Sequence, residues 1–530
     1  MFKSLLATSL ICLALTGASA QTQVEQWGIF EVALTGPTNG NPFLDTSFFV
    51  RFWQSNDARQ VTGFYDGDGI YRARFMPERQ GAWNYSTVSS APELNGKTGT
   101  FMVTNPPPQD HGPVRVANTY HFAYADGTPY KELGTTCYVW AYQREEVQAQ
   151  TLQTLATAPF NKVRMCVFPT HNDTNEPPLF PFEGKPATNW DFARFNPKFF
   201  QHFEQRILAL QKLGIEADVI LFHPYDAGHW GFDRMPPYVD DRYARYLVAR
   251  LSAYRNVWWS LANEWDFVKA KQESDFVRIG ELVAYEDPYH HLLSIHNGMK
   301  LFNYALPWIT HASIQNGQAV ENPASAEMYR DVYGKPVVYD EVKYEGNLSR
   351  RWGNLSAEEL VYRFWNGTVA GTYVGHGETY ASTNKTSTNS VVAWTRGGVL
   401  RGQSPARLAF LKQVLDDAPP EGIEPLDKWQ NPEYGGQPGK YYLIYLGKSQ
   451  PSSWTFLLPS PPMGDGVALE DGMTFKAEVL DTWNMTISPV PGEFVLKRKD
   501  AYFFTDRDGR AINLPAKPYL AIRIKRVKYY

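Results

Sequence analysis

The sequence predicts an α/β protein, a (β/α)8 TIM barrel over residues 114–418 flanked by an N-terminal β-sandwich (21–106) and a C-terminal β-sandwich (425–530). Three observations carry this. Eight short apolar segments recur between residues 114 and 418, with amphipathic helical stretches between several of them. The stretches before and after read as strands alone, with turn signals between them. Two proline-containing breaks, Asn105-Pro106-Pro107-Pro108 and Asp416-Asp417-Ala418-Pro419-Pro420-Glu421-Gly422, mark the joins. The length agrees, because 530 residues exceed one compact core at about 100–200 residues per domain. A doubly wound open sheet that binds nucleotides would announce a Gly-rich phosphate turn after its first strand, and the sequence has none.

Residues 1–20 precede the fold. Met1-Phe2-Lys3 is a basic start, Leu5 to Leu15 is apolar, and Ala18-Ser19-Ala20 is a small-residue cleavage site. This reads as a Sec-type signal peptide, too short for a permanent anchor. The protein is therefore expected to be exported, periplasmic or extracellular. Cys12 leaves with this segment and lacks the small-residue surroundings of a lipid-attachment site, so no lipoprotein is predicted. No later run of about 18 apolar residues appears, so no transmembrane helix or membrane insertion is expected. The remaining Cys137 and Cys166 sit in apolar runs and read as buried thiols.

Strands of the first sandwich are read at Gly28–Leu34, Ser47–Phe52, Gly69–Phe75 and Thr98–Val103. Tyr71, Ala73 and Phe75 alternate with Arg72 and Arg74, the period of a half-buried strand. In the barrel, strands are read at Leu133–Trp140, Lys162–Phe168, Glu216–His223, Val257–Asn263, His291–His296, Ile309–Gln315, Pro336–Glu341 and Gly371–Glu378. Helices are read at Phe199–Leu213, Asp240–Tyr254 and Ala357–Val369, the last with Ser356 as N-cap. A final helix starts at Ser404-Pro405, proline being favoured in a first turn. In the second sandwich, Tyr441–Leu446 and Tyr519–Ile524 alternate as strands. The basic end Lys525-Arg526-Val527-Lys528 reads as a solvated edge strand. No solenoid repeat is visible.

The net charge of −4 and pI near 6.3 exclude a dedicated nucleic-acid binder, which carries a basic surplus. Aromatic residues make up 15%, enough for large cores or for surfaces that stack on sugar rings.

Catalytic groups of a barrel sit at the C-terminal ends of its strands. Two carboxylates stand out there, Glu264 after the fourth strand and Glu341 at the end of the seventh. A carboxylate directly after a buried strand is costly unless paired or functional, and barrel-mouth salt bridges are the plain alternative. His223, His296 and His376 also fall at strand ends, where they could bond substrate or support the carboxylates. The sequence has no His-x-His, so neither a metal site nor a cofactor is predicted. Trp140, Tyr225, Trp230 and Trp394 follow strands and could stack on sugars. Tyr339, two residues before Glu341, should share its face and line the site below it. Trp53, Trp83, Trp454 and Trp483 read as sandwich core before glycan binding.

Asn263-Glu264 ending strand four, with Glu341 ending strand seven, resembles the retaining glycoside hydrolases of clan A. Gly134-Thr135-Thr136-Cys137-Tyr138-Val139-Trp140, Phe222-His223-Pro224-Tyr225-Asp226, Trp230-Gly231-Phe232-Asp233-Arg234-Met235 and Gly375-His376-Gly377-Glu378-Thr379 are similar to a group of bacterial glycosidases with apiosidase-like barrels. Trp394 and Gly397–Gly402 fit the same group. That resemblance implies an N-terminal Ig-like domain of unknown function, a catalytic barrel and a C-terminal β-sandwich. It implies Glu264 as acid/base and Glu341 as nucleophile. Arg164 matches the clan arginine beside the nucleophile, where a cation would keep Glu341 ionised. Asn263 would bond the sugar hydroxyl next to the reacting carbon, and Glu378 would support the site. Strand six ends near His311 and Gln315, where many clan members offer a tyrosine to the nucleophile.

The expected activity is hydrolysis of O-glycosidic bonds in a plant or algal polysaccharide or oligosaccharide, with carbohydrate as the partner. A non-catalytic carbohydrate- or matrix-binding protein and a metallohydrolase are the competing classes. The loops Pro169–Pro186 and Tyr225–Pro237 are expected to decide which sugar is taken.

Overall fold

In the computed structural model the eight barrel-region segments all form parallel strands, each inside its expected range and shorter than it. The structure describes residues 22–171, 177–185, 189–226, 228–382, 391–460 and 469–527. The leader expected over residues 1–20, Cys12 and Lys528 lie outside the described residues.

Gly134–Thr136, Lys162–Cys166, Glu216–Phe222, Val257–Ala262 and Leu293–Ser294 pair in that order into one parallel sheet. Ala312–Gln315, Val337–Glu341 and Tyr373–Val374 pair into a second. Parallel bridges of His296 with Ser313 and of Thr135 with His376 join the two sheets at both edges. We number these eight strands one to eight. Every residue of strands two, three and four is buried, as parallel strands covered by helices require.

The helices follow their local signals. Pro197–Lys212 begins where Asn196 accepts from the Lys198 N–H and proline occupies the first turn. It buries Phe199, Phe203, Ile207 and Leu210. Pro237–Leu251 starts earlier than the hydrophobic period announces, because Pro236-Pro237 sets the entry. Ala357–Val369 has the expected bounds, with Ser356 accepting from the Glu359 N–H. Ser404–Asp416 closes this region. Cys137 and Cys166 are buried free thiols.

The ends of the parallel region differ in chemistry. Val114, Phe122 and Tyr130, from a small antiparallel sheet, pack on Trp258, Leu292 and Val338 near the strand starts. The strand ends are polar and hold the two carboxylates. This is an α/β fold with sheet domains on either side.

The N-terminal sheets bury Phe30, Phe52, Phe75, Trp83 and Phe101 together, with the Phe30 and Phe101 rings stacked 3.7 Å apart. The last strand, Leu520–Arg526, lies between Tyr441–Gly447 and Thr474–Asp481. It is an interior strand, which corrects the edge expected from its basic end. Ile522 and Ile524 face the core, while Arg523 and Lys525 pair with Glu478 and Asp417, so the basic face is neutralised locally.

The N-terminal sheets meet the helices through buried charge. Arg250, fully buried, contacts Glu204 at 2.6 Å and Asp66 at 2.8 Å. Arg74 contacts the same Glu204 at 2.8 Å. Removing one partner of such a set leaves uncompensated buried charge, at about 3–5 kcal/mol. Arg250→Met is therefore expected to lower the thermal midpoint of the full-length protein. Differential scanning calorimetry checks this, and an unchanged midpoint would show that the network adds no stability.

Candidate active site

The parallel strands deliver Glu264 and Glu341 to one mouth. Glu264 stands two residues beyond strand four in the left-handed region (φ +47°), a state costing about 1–3 kcal/mol for a non-glycine residue. Its neighbours hold it there. The Asn263 N–H donates to the Phe222 carbonyl at 3.0 Å, and the Trp265 N–H to the His296 carbonyl at 3.0 Å. Glu341 is the last residue of strand seven. Both carboxylates line a cavity of about 1300 Å³ together with Tyr138, Tyr225, Tyr344 and Trp352.

Their surroundings differ. Glu264 accepts from the Tyr225 hydroxyl at 2.8 Å and from Gln315 Nε2 at 3.1 Å. Glu341 Oε1 accepts from the Tyr138 hydroxyl and from Asn263 Nδ2, the latter at 3.3 Å. Arg164 stands 3.9 Å from the same oxygen and His296 Nε2 3.6 Å from it. Asn263 also donates to the Tyr225 hydroxyl, and His296 Nε2 lies 3.3 Å from Gln315 Oε1. Two short side-chain relays thus bridge the carboxylates.

Burial pushes the Glu264 carboxyl up to about 7, and the nearby Glu341 charge adds to this, against the bonds from Tyr225 and Gln315. Burial also raises Glu341, against Arg164, Tyr138 and Asn263. Arg164 acts in the expected direction, favouring the ionised carboxylate. Loss of hydration outweighs one guanidinium whose charge is shared with Asp218 at 3.2 Å and Asp340 at 3.8 Å. Burial lowers His296 to about 3, helped by Arg164, so its imidazole is neutral.

Below the mouth, Lys162 contacts Asp340 at 2.9 Å and Glu132 at 3.0 Å. Burial would raise Asp340, but Lys162 and Arg164 hold it below the usual carboxylate range. Lys162, Arg164 and Asp340 are at most 1% exposed, so this charge layer supports the site from inside the fold.

Of the residues expected at the site, Glu264, Glu341, Arg164, Asn263, Tyr225 and His296 come together. None of the others lines the cavity, and His223 takes the supporting role that was its alternative. His223 donates from Nε2 to the Phe168 carbonyl at 2.9 Å and accepts the Tyr225 N–H at 3.1 Å, so it positions the Tyr225 turn. Tyr339 donates to the Ala326 carbonyl of helix Pro323–Tyr333 and faces the helices. The pairing of strands six and seven is irregular between Ser313 and Gln315, and the two-residue period fails at that strand end. Trp140, Trp230 and Trp394 are buried. Trp230 packs among Phe180, His171 and His229, and Trp394 donates to Thr135 Oγ1 at 2.9 Å. His376 bonds Thr135 Oγ1 and stacks on Phe160. Glu378 accepts the Arg401 and Gly402 N–H groups.

Residues 172–176, 186 and 227 of the two expected loops lie outside the described residues. Among the described residues of 169–186 and 225–237, Tyr225 alone lines the cavity. The first stretch contributes Phe182–Lys185 to a hairpin with Asn189–Phe195, and that hairpin turns toward the N-terminal sheets, where Asn41 Nδ2 donates to the Ala193 carbonyl. Among the described residues the cavity opens along 343–352, after strand seven, and along Thr379, Ala381 and the stretch from Val391 to Arg396.

Sequence reasoning missed Tyr138, Gln315, Tyr344 and Trp352 as site residues. The first two had a signal, since both stand near the ends of strands one and six. Together they account for the absent strand-six tyrosine: Tyr138 donates to Glu341 from strand one's side, and Gln315 turns to Glu264. Trp352, 43% exposed, is the aromatic face available to a ligand.

A model of the apiosidase-like catalytic domain matches residues 116–416. Domains of unknown function match on either side, DUF5060 over residues 23–90 and DUF5605 over residues 429–525. A protein of Bacteroides vulgatus ATCC 8482 described as a candidate glycoside hydrolase is 42% identical, with a TM-score of 0.91 over 96% of this chain and 100% of that one. A glycoside hydrolase family 5 protein from the same organism is 14% identical, with a TM-score of 0.55 over 79% of this chain and 93% of that one; it shares the fold. No curated protein matches. The chain belongs to the apiosidase-like family.

If Glu264 works as an acid, activity falls as pH rises through about 7, where it loses its proton. Tyr225→Phe removes a bond that lowers this pKa, so the alkaline limb of kcat/KM should move to higher pH. Glu264→Gln should lose about 10²–10⁴-fold in kcat and lose that limb. A pH–rate profile of the three proteins checks this, and an alkaline limb in Glu264→Gln matching the parent's would assign it to another group.

Proposed function

We propose that this apiosidase-like glycoside hydrolase is exported and cleaves O-glycosidic bonds of a plant or algal polysaccharide or oligosaccharide with retention of configuration. Its parallel region is read as a complete (β/α)8 barrel, with a sheet domain before residue 106 and another after residue 425. Glu264 is the acid/base and Glu341 the nucleophile.

The observation that carries this is the unequal surroundings of two carboxylates in one cavity. Glu264 has only neutral donors and a carboxyl pushed up to about 7, so a protonated fraction remains available at neutral pH. Glu341 has Arg164 and two donors. Carboxyl groups separated in this way divide into acid and anion. In the first step Glu264 gives its proton to the leaving oxygen while Glu341 attacks the anomeric carbon and forms the glycosyl–enzyme ester. In the second step Glu264, now a base, takes a proton from water, and that water displaces Glu341. Asn263, which donates to Glu341, would bond the sugar hydroxyl next to the reacting carbon. Trp352 offers a ring face to a further sugar unit.

Export rests on the basic start, apolar run and Ala18-Ser19-Ala20. Mass spectrometry of the exported protein should find Gln21 as its first residue.

The reaction class is tested by screening the purified protein against plant and algal glycans and following the first product by proton NMR. Retention is expected. An inverted first product would remove Glu341 as nucleophile and require a water between the carboxylates. Inactive Glu341→Ala regaining turnover with azide, as a glycosyl azide of inverted configuration, is the companion result.

A further inference from the structure

Outside the mouth, Glu345, His376 and Glu378 form a second cluster whose ligand-type atoms all lie within 4.8 Å of one another. The three residues are at most 4% exposed. Glu345 accepts from Tyr380 Oη (2.9 Å), from the N–H groups of Gln403 (2.7 Å) and Ser404 (3.1 Å), and from Ser404 Oγ (2.5 Å). Glu378 accepts from the N–H groups of Arg401 (2.5 Å) and Gly402 (2.8 Å). All these donors are neutral. Among the described residues no lysine or arginine pairs with either carboxylate, whereas the clusters around Lys162 and Arg250 contain their own cations. Two adjacent buried carboxylates offset only by the exposed Arg401, which acts on Glu378 from beyond ion-pair distance, are costly.

A second observation points to what compensates them. His376 is fully buried and its Nε2 has no hydrogen-bond partner. That atom lies 3.9 Å from Glu378 Oε2. On the other side of the ring, Nδ1 lies 2.8 Å from Thr135 Oγ1, and Thr135 Oγ1 lies 3.3 Å from the His376 carbonyl. With Nδ1–H donated to Thr135 and the threonine proton given to that carbonyl, Nε2 presents its lone pair to the carboxylates. Gly402 closes the cluster, since a Cβ there would strike Oε2 of both glutamates.

We infer that Glu345, His376 and Glu378 bind a divalent cation with a mixed nitrogen and oxygen preference, manganese or zinc, as a structural ion. One imidazole nitrogen with two carboxylates suits such ions better than an all-oxygen set suits calcium. The ion ties the chain after strand seven to the chain after strand eight. Glu345-Gly346 pairs with Glu378-Thr379, and Glu378–Ala381 with Val391–Ala393. Thr379, Ala381, Val391 and Ala393 line the cavity, so the ion braces the cavity wall without touching Glu264 or Glu341.

The test uses the full-length protein purified without a metal-affinity step. Elemental analysis should find about one manganese or zinc per chain. Chelation should lower Tm by a few degrees, and MnCl2 or ZnCl2 should restore it. Glu378→Gln keeps an oxygen for a backbone N–H but loses the charge. It should hold no metal, and its Tm should ignore both salts. Inactive Glu341→Gln should bind metal as the parent does, which separates this site from the catalytic reading. A metal-free parent whose Tm is unmoved by millimolar MnCl2 and ZnCl2 overturns the inference, as does Glu378→Gln with undiminished metal.

Discussion

The active face rests on a lysine and an arginine buried inside the parallel strands. Lys162 and Arg164 are two residues apart on strand two, so both point inward and sit one layer above the other. Lys162 meets Glu132 and Asp340, and Arg164 meets Asp218, Asp340 and Glu341. A cation buried this deeply is tolerated only with its partners in place. Strands two, three and seven are therefore held in one register, and the last member of the chain of charges is Glu341 itself.

Above that layer the geometry becomes one of neutral hydrogen bonds. Tyr138, Asn263, Tyr225, Gln315 and His296 come from the ends of five different strands and surround two carboxylates. The strained Glu264 backbone is held by the N–H groups on both sides of it. Asp266 accepts the Gly298, Met299 and Lys300 N–H groups and so fixes the loop after strand five beside it. Such constraint keeps the Glu264 carboxyl aimed at the cavity before any ligand arrives.

Much of this was legible in the sequence because the signals were local. Strands buried on both faces leave unbroken apolar runs, and Ser356 and Pro197 mark helix starts by chemistry confined to one turn. Glu264 and Glu341 were legible because each ends such a run. Trp140, Trp230 and Trp394 were misread because a tryptophan after a strand looks the same whether it turns into the cavity or into the core. Tyr339 was misplaced because alternation assumes a regular strand to its last residue.

By itself, then, the sequence determined the alternation of strands and helices, the flanking strand-rich regions and the two carboxylates at strand ends. Those properties depend on the period of apolar residues over a few turns. Only the tertiary structure decided that Tyr138 bonds Glu341, 203 residues away, and that Gln315 bonds Glu264. It also decided that the cavity opens along the loops after strands seven and eight. Contacts of that kind depend on which strand ends become neighbours when the sheets pair, and no local period records it.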